Sequence, residues 1–308
     1  LNQGFTYTET IGPRSAGASL LAYLSGCYAH TSESEWQERI LAGGVQVDGH
    51  VDAPQTILRR GQIVTWVRPP WTEPEAPLTY TVLFEDEDLL AVDKPSGLPT
   101  LPGAGFLQNT LIHLVRKHCP EASPIHRLGR GTSGAVIFAK SSSALAMLSE
   151  ALRDHTMTKV YRALITGHPA EEAFTIDAPI GPMPHEHLGT VHAAHPKGKT
   201  ACSHVRVLEK RGEHSLVDVR IETGRPHQIR IHTAFAGHPL VGDPLYASGG
   251  LPKPNTHAVP GDLGYLLHAF RVNPPHPRTG GRISIECAAP PELSMEGESC
   301  VHRWERTI

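Results

Sequence analysis

The sequence contains no run near the roughly 20 apolar residues that a helix needs to cross a bilayer, and its start shows no basic segment leading into an apolar one. Those absences point away from an integral membrane protein and from a visible secretory leader. Cysteines are few: residues 27, 119, 202, 287 and 300, odd in number and never spaced Cys-x-x-Cys. That pattern argues against a disulfide framework or a common zinc site, and predicts reduced thiols in a cytoplasmic setting. Aromatics make up 6% against 27 prolines and 29 glycines, so loops should be plentiful, while 39% apolar residues still suffices for a core. A large charge of either sign is missing too. With a net charge of −3, any attraction to a polyanion must come from a local basic surface.

At 308 residues, one large domain plus a small one is expected. Proline concentrates in Pro69-Pro70-Trp71-Thr72-Glu73-Pro74-Glu75-Ala76-Pro77, which reads as an extended linker. The division is therefore residues 1–70, a linker at 71–79, and a main domain at 80–308. In the first part, residues 15–29 and 32–42 predict two short helices, with Ser32 and Ser34 as candidate caps for the second. Val45-Gln46-Val47-Asp48-Gly49 predicts a hairpin, and residues 61–67 a further strand. In the main domain, residues 80–92 are two apolar runs around an acidic turn, and residues 142–154 form an amphipathic helix with Leu145, Leu148 and Leu152 on one face. Residues 205–207 and 216–221 flank a second hairpin turn, and 265–272 and 283–287 close the chain as strands. Strands outnumber helices and connect locally, which predicts an α+β domain with a mostly antiparallel sheet.

Two segments concentrate chemistry. His126-Arg127-Leu128-Gly129-Arg130-Gly131-Thr132-Ser133-Gly134 packs three basic side chains and three glycines into nine residues, then runs into the apolar stretch 135–139. Such a loop brings backbone close to an anionic ligand while Arg127 and Arg130 reach phosphate or base. Thr223-Gly224-Arg225-Pro226-His227-Gln228-Ile229-Arg230-Ile231-His232 predicts a helix that begins at Pro226 and stops at Gly237. Its first turn would face an anion with Arg225, His227 and Arg230, or would simply expose solvated cations. Gly198-Lys199-Thr200 lacks the first glycine of a phosphate loop, because Ala193 stands there. Gly131-Thr132-Ser133-Gly134 is not a hydrolase elbow. His185, His187, His192 and His195 match no standard metal spacing and read as a solvated loop, so no metal is expected.

Six motifs, in order, resemble those of the RluA-type RNA pseudouridine synthases. They are Asp-Lys-Pro-Ser-Gly-Leu-Pro-Thr at 93–100, His-Arg-Leu-x-x-x-Thr-Ser-Gly at 126–134 and Lys-x-Tyr-x-Ala-Leu at 159–164. The others are Gly-Arg-x-His-Gln-Ile-Arg-x-His at 224–232, Gly-His-Pro-Leu-Val-Gly-Asp-x-x-Tyr at 237–246 and Leu-Leu-His-Ala at 266–269. The helix-helix-hairpin-strand pattern of residues 1–70 resembles the alpha-L RNA-binding module that many of those synthases carry. The resemblance implies a pseudouridine synthase fold, isomerisation of uridine in structured ribosomal or transfer RNA by base flipping, no cofactor, no membrane and no obligatory protein partner. It implies roles as well. Tyr161 would stack on the uracil, Arg127 would fill the space left by the flipped base, and Leu267 would wall the pocket. His126, Arg130, Arg225, His227 and Gln228 would support the site or touch RNA.

The departure lies at Gly129. The resemblance implies an aspartate there, paired with Arg230 and acting in base detachment, and glycine has no carboxylate. Arg230 is then expected to face the pocket unpaired, and Asp243 to cap backbone amides in its Gly-Asp-Pro turn. Two readings stay open: a synthase with an altered mechanism, and an RNA-binding paralogue that docks RNA without isomerising it.

Overall fold

The computed structural model describes residues 1–28, 31–186, 188–298 and 301–307, so His187 and Cys300 lie outside the described residues. The chain divides into two compact units, Leu1–Glu73 and Pro74–Ile308.

The first unit is a four-stranded antiparallel sheet with two helices: β1 (Phe5–Thr10), α1 (Leu20–Cys27), α2 (Glu33–Leu41), β2 (Val45–Val47), β3 (His50–Val51) and β4 (Ile63–Arg68). Strand order is β1-β4-β2-β3. Of the two candidate serines, Ser32 caps α2, accepting from the Glu35 amide while Glu35 reaches back to the Ser32 amide. Leu20, Leu24, Trp36, Ile40, Val45 and Val64 close its core. β1, at Phe5–Thr10, lay outside the sequence expectation although its aromatic and polar alternation is a strand pattern; none of its residues is buried.

The second unit is built on one large sheet. Its elements are β5 (Thr81–Glu85), β6 (Leu89–Lys94), α3 (Leu111–His118), β7 (Ser123–Pro124), β8 (Ser133–Ala139), α4 (Ser142–Arg153), β9 (Thr158–Thr166), β10 (Ala173–Ile176), β11 (Ile180–His185), β12 (Gly189–Ala194), β13 (Ser203–Arg211), β14 (His214–Ile221), α5 (Gln228–Phe235), β15 (Tyr246–Ala247), β16 (Leu251–Pro252), β17 (Leu267–Asn273), β18 (Arg282–Glu286) and β19 (Arg303–Thr307). The sheet runs β10-β13-β14-β9-β17-β8-β6-β5, with β7 on β8, β18 on β17 and β19 on β18. β17 pairs with β8 in parallel; the other pairings are antiparallel. This is the α+β architecture expected.

Both faces of the central strands are covered, which is why their sequences run apolar rather than alternate. Leu90, Val92, Val136 and Phe138 join Leu111 and Val115 of α3 on one side. Leu89, Ala91, Ala135 and Ile137 join Ala144 and Leu148 of α4 on the other. Gly134 marks the tightest point of the sheet. Its φ is +108°, and a Cβ there would lie 2.5 Å from the Ala269 carbonyl oxygen. Only glycine lets β8 come this close to β17, and that approach sets the end of the 126–134 loop beside Leu267.

Candidate active site

The 126–134 loop, β9, the segment entering α5 and the start of β17 enclose one cleft of about 580 Å3. The loop is latched from below by the 93–100 turn. Lys94, fully buried at the end of β6, donates from Nζ to the carbonyls of Pro95 (2.9 Å), Leu98 (2.7 Å) and Arg130 (3.2 Å). Ser96 Oγ donates to Gly131 O at 2.9 Å, and the Thr100 hydroxyl bridges both backbone groups of Leu128. The Asp-Lys-Pro-Ser-Gly motif therefore works as the loop's anchor.

That anchor makes one pH effect expected. Burial pushes Lys94 down to about 7, with Asp93 opposing weakly. An unfolded lysine titrates near about 10.4, so between those values the unfolded chain binds the extra proton and folding stability rises with pH. Denaturant unfolding from pH 7 to 9.5 should show this rise in the parent protein and a shallower one in Lys94→Met. Equal slopes would remove Lys94 as the source.

Tyr161 and Lys159 sit two apart on β9, hence on the same face, and both border the cleft. Burial pushes the Tyr161 phenol up to about 12 and lowers Lys159. Arg162, one step out of register, points the opposite way to Asp218 and Glu298. His126 is held neutral, pushed down to about 3 by burial and by Lys159, and its Nε2 accepts the Ile137 amide at 3.2 Å. Arg127 is exposed at the rim, and Leu267 forms a wall.

The segment before α5 differs from expectation. The helix begins at Gln228 rather than Pro226, because His227 takes a left-handed conformation, φ +54°, and reverses the chain. Its Nδ1 donates to the Tyr246 hydroxyl at 2.8 Å, which donates onward to the His192 carbonyl. Burial, with Arg230 beside it, pushes His227 down to about 3. Gln228 replaces a helix cap: its Oε1 accepts from Thr223 Oγ1 (2.7 Å) and the Arg225 amide (3.0 Å), while Nε2 donates to Cys202 O and Ser203 Oγ. Nor is α5 a surface helix, since Gln228–Ala234 are all buried.

Arg230 is not unpaired. Its Nε and Nη2 meet Asp243 Oδ2 and Oδ1 at 2.7 and 2.8 Å, and Nη1 donates to Pro260 O at 2.9 Å. Asp243 does cap amides, those of Leu245 (2.9 Å) and Tyr246 (3.0 Å), while holding the guanidinium. Burial opposes the charge of Asp243, but Arg230 and the two amides more than offset it and keep the carboxyl below its usual range. The pair, 13 residues apart, forms because the chain reverses after α5 and returns the Gly-Asp-Pro turn alongside the helix.

Of the residues expected at the site, Gly129, Tyr161, Arg230, His126, Arg127, Arg225, His227, Gln228 and Leu267 all border the cleft. Arg130 turns away, donating from Nε to Gly261 O at 2.9 Å and lying 5.5 Å from the Phe106 ring. The cleft adds Thr132, Arg153, His155, Lys159 and Tyr265. Lys159 was legible, two residues before Tyr161 in the same motif; Tyr265 comes from the segment leading into β17, distant in sequence. Among the described residues, no carboxylate borders the cleft, whereas five lysines and arginines do. Here is the local basic surface that the overall charge left necessary. His185, His192 and His195 enter no group of metal-ligating side chains among the described residues. No helix among them is long and apolar enough to cross a membrane.

A family model described as RNA pseudouridylate synthase matches residues 88–235. The chain is 43% identical over 276 residues to an uncharacterized RNA pseudouridine synthase of Synechocystis sp., covering 89% of this chain and 95% of that protein. It is 32% identical over 308 residues to ribosomal large subunit pseudouridine synthase D of Vibrio vulnificus, covering 94% and 93%. Among solved structures, human RNA pseudouridylate synthase domain containing 1 superposes with a TM-score of 0.56 at 25% identity, covering 77% of this chain and 92% of that one.

Proposed function

The chain belongs to the RNA pseudouridine synthase family, and from that premise we propose that it isomerises uridine to pseudouridine in structured ribosomal or transfer RNA, taking the target nucleotide out of its stack into the cleft. The observation that carries this reading is the cleft's composition: an aromatic face at Tyr161, an apolar wall at Leu267 and a rim of cations. A uracil stacks on the first two, and its flanking phosphates meet Arg127, Arg153 and Arg225. Extrusion costs a few kcal/mol, which backbone contacts of this kind offset. The relative's name points to large-subunit ribosomal RNA as the first substrate to test.

The first unit serves as a second RNA-contacting surface in this proposal. Tyr7 stacks on Trp66 at 5.0 Å, and Arg39 and Arg68 lie over Trp36, Trp66 and Trp71. These rings are covered by their partners, Trp36 within the core, so what the unit offers RNA in this proposal is the cations Arg39 and Arg68 held in place over them.

The test compares total RNA from cells with and without the gene by nucleoside mass spectrometry and site mapping. One or a few pseudouridines should vanish on deletion and return when the purified protein is added to the deficient RNA. Retained RNA binding with an unchanged profile would sink the reading. Arg127→Ala should weaken RNA binding and shallow its salt dependence by about one unit of slope, as loss of one phosphate contact does.

A further inference from the structure

Gly129 and Gly131 are glycines for a reason that the backbone does not supply. Neither has a positive φ. A Cβ at Gly129 would lie 3.0 Å from the Tyr265 hydroxyl oxygen, and one at Gly131 would lie 2.9, 3.0 and 3.1 Å from its Cζ, Cε1 and hydroxyl. The loop is shaped around the tip of this one ring. The hydroxyl pairs with Thr132 Oγ1 at 3.2 Å, and the ring lies 4.2 Å from the Arg230 guanidinium carbon. Arg230 is itself fixed by Asp243. Tyr265 is buried yet borders the cleft, so its oxygen stands within reach of the space a side chain at residue 129 would enter.

The charge environment narrows what that oxygen can do. No described carboxylate borders the cleft. What the cleft offers is positive charge and hydrogen-bond donors, which stabilise negative charge as it forms.

We propose that Tyr265 is a catalytic residue of this chain, its hydroxyl donating a hydrogen bond to a carbonyl oxygen of the uracil as the base detaches. This rests on the synthase reading above. The C1′–N1 bond breaks with its electron pair leaving on the base, so the sugar becomes an oxocarbenium ion and the uracil an anion spread over N1 and its carbonyls. The base turns, the C5 electron pair closes the new bond to C1′, and the proton lost from C5 appears on N1. Nothing is gained or lost overall. Tyr265 remains a phenol throughout and acts only while charge resides on the base, so its effect belongs to the transition state and not to RNA affinity.

The same geometry bears on what an acid at residue 129 would do. The first atom of the Gly129→Asp side chain meets the tyrosine oxygen at the distance already given, so the carboxylate enters only if Tyr265 yields. Restoring the acid alone is therefore not expected to raise activity.

The experiment uses full-length parent and Tyr265→Phe, with total RNA from gene-deleted cells and a matching transcript in which uridine is replaced by 5-fluorouridine. Tyr265→Phe keeps the ring, and thermal melting with RNA binding checks its fold. The single-turnover rate on uridine should fall about 100- to 1,000-fold, the effect of removing one donor to developing charge, while the RNA dissociation constant stays close to the parent's. In 5-fluorouridine the C5 carries fluorine in place of the proton that isomerisation releases, so no pseudouridine can form and the readout is the single-turnover consumption of 5-fluorouridine itself. There the effect of the variant should be much smaller, because fluorine lowers the basicity of the departing base. An active parent with an unimpaired Tyr265→Phe variant, or an equal loss on both RNAs, overturns the assignment and leaves the synthase reading standing. An inactive parent overturns both.

Discussion

Asp243→Ala is expected to cost about 3–5 kcal/mol of folding stability, the usual effect of removing one partner of a buried ion pair. Asp243 and Arg230 have side chains only 1% and 2% exposed. Alanine would strand a guanidinium with almost no exposure to water, and the amides of Leu245 and Tyr246 would lose their acceptor as well. Asp243→Asn separates the two losses. Asparagine keeps an oxygen for the amides but brings no charge, so its cost should fall between parent and alanine. Urea unfolding measures both. The pH dependence has a definite sign: the folded carboxyl titrates below its unfolded value of about 3.9, so its contribution is complete above that value and fades as pH falls through the folded one. The gap between parent and variant should therefore close in acid. A gap that does not narrow as the pH is lowered would point to lost packing rather than lost charge.

What the sequence could reveal divides along a physical line. Tyr161, Arg230 and the 126–134 loop were legible because each lies in a short motif whose spacing survives without knowledge of the fold. The hairpin at Thr81–Lys94 and the helix at Ser142–Arg153 were legible because local periodicity and turn residues determine them. The pairing of Arg230 with Asp243 was not. It depends on a left-handed His227, a conformation uncommon for any residue but glycine, and on a return of the chain 13 residues later. α3 escaped because Leu111–His118 is short and lacks a side-chain cap. Tyr265 escaped for a more instructive reason. Gly129 and Gly131 look like flexible loop residues until the ring they accommodate comes into view, and that ring is more than 130 residues away in sequence. An absent side chain is informative only with its surroundings.

Gly242→Ala tests how those surroundings are assembled, and its effect should rival that of Asp243→Ala. Gly242 has φ +77°, and a Cβ there would lie 2.1 Å from the carbonyl oxygen of Gly264, itself at φ +119°. Two glycine backbones touch where no methyl group fits. Left-handed backbone costs alanine about 1–2 kcal/mol, and overpacking typically adds 1–3 or more, so a loss of about 3 kcal/mol or more is expected. Each glycine is followed by a residue that flanks Arg230: Asp243 on one segment, Tyr265 on the other. The contact therefore does more than close a turn. It holds the partner of the guanidinium and the ring that covers it in one register, and pushing the segments apart displaces the Tyr265 hydroxyl from Thr132. In a Gly242→Ala protein kept folded by low temperature, catalysis should fall by more than the unfolded fraction accounts for, while binding of RNA at the exposed Arg127 rim persists. Full activity per folded molecule would show that the two segments find their places without this contact.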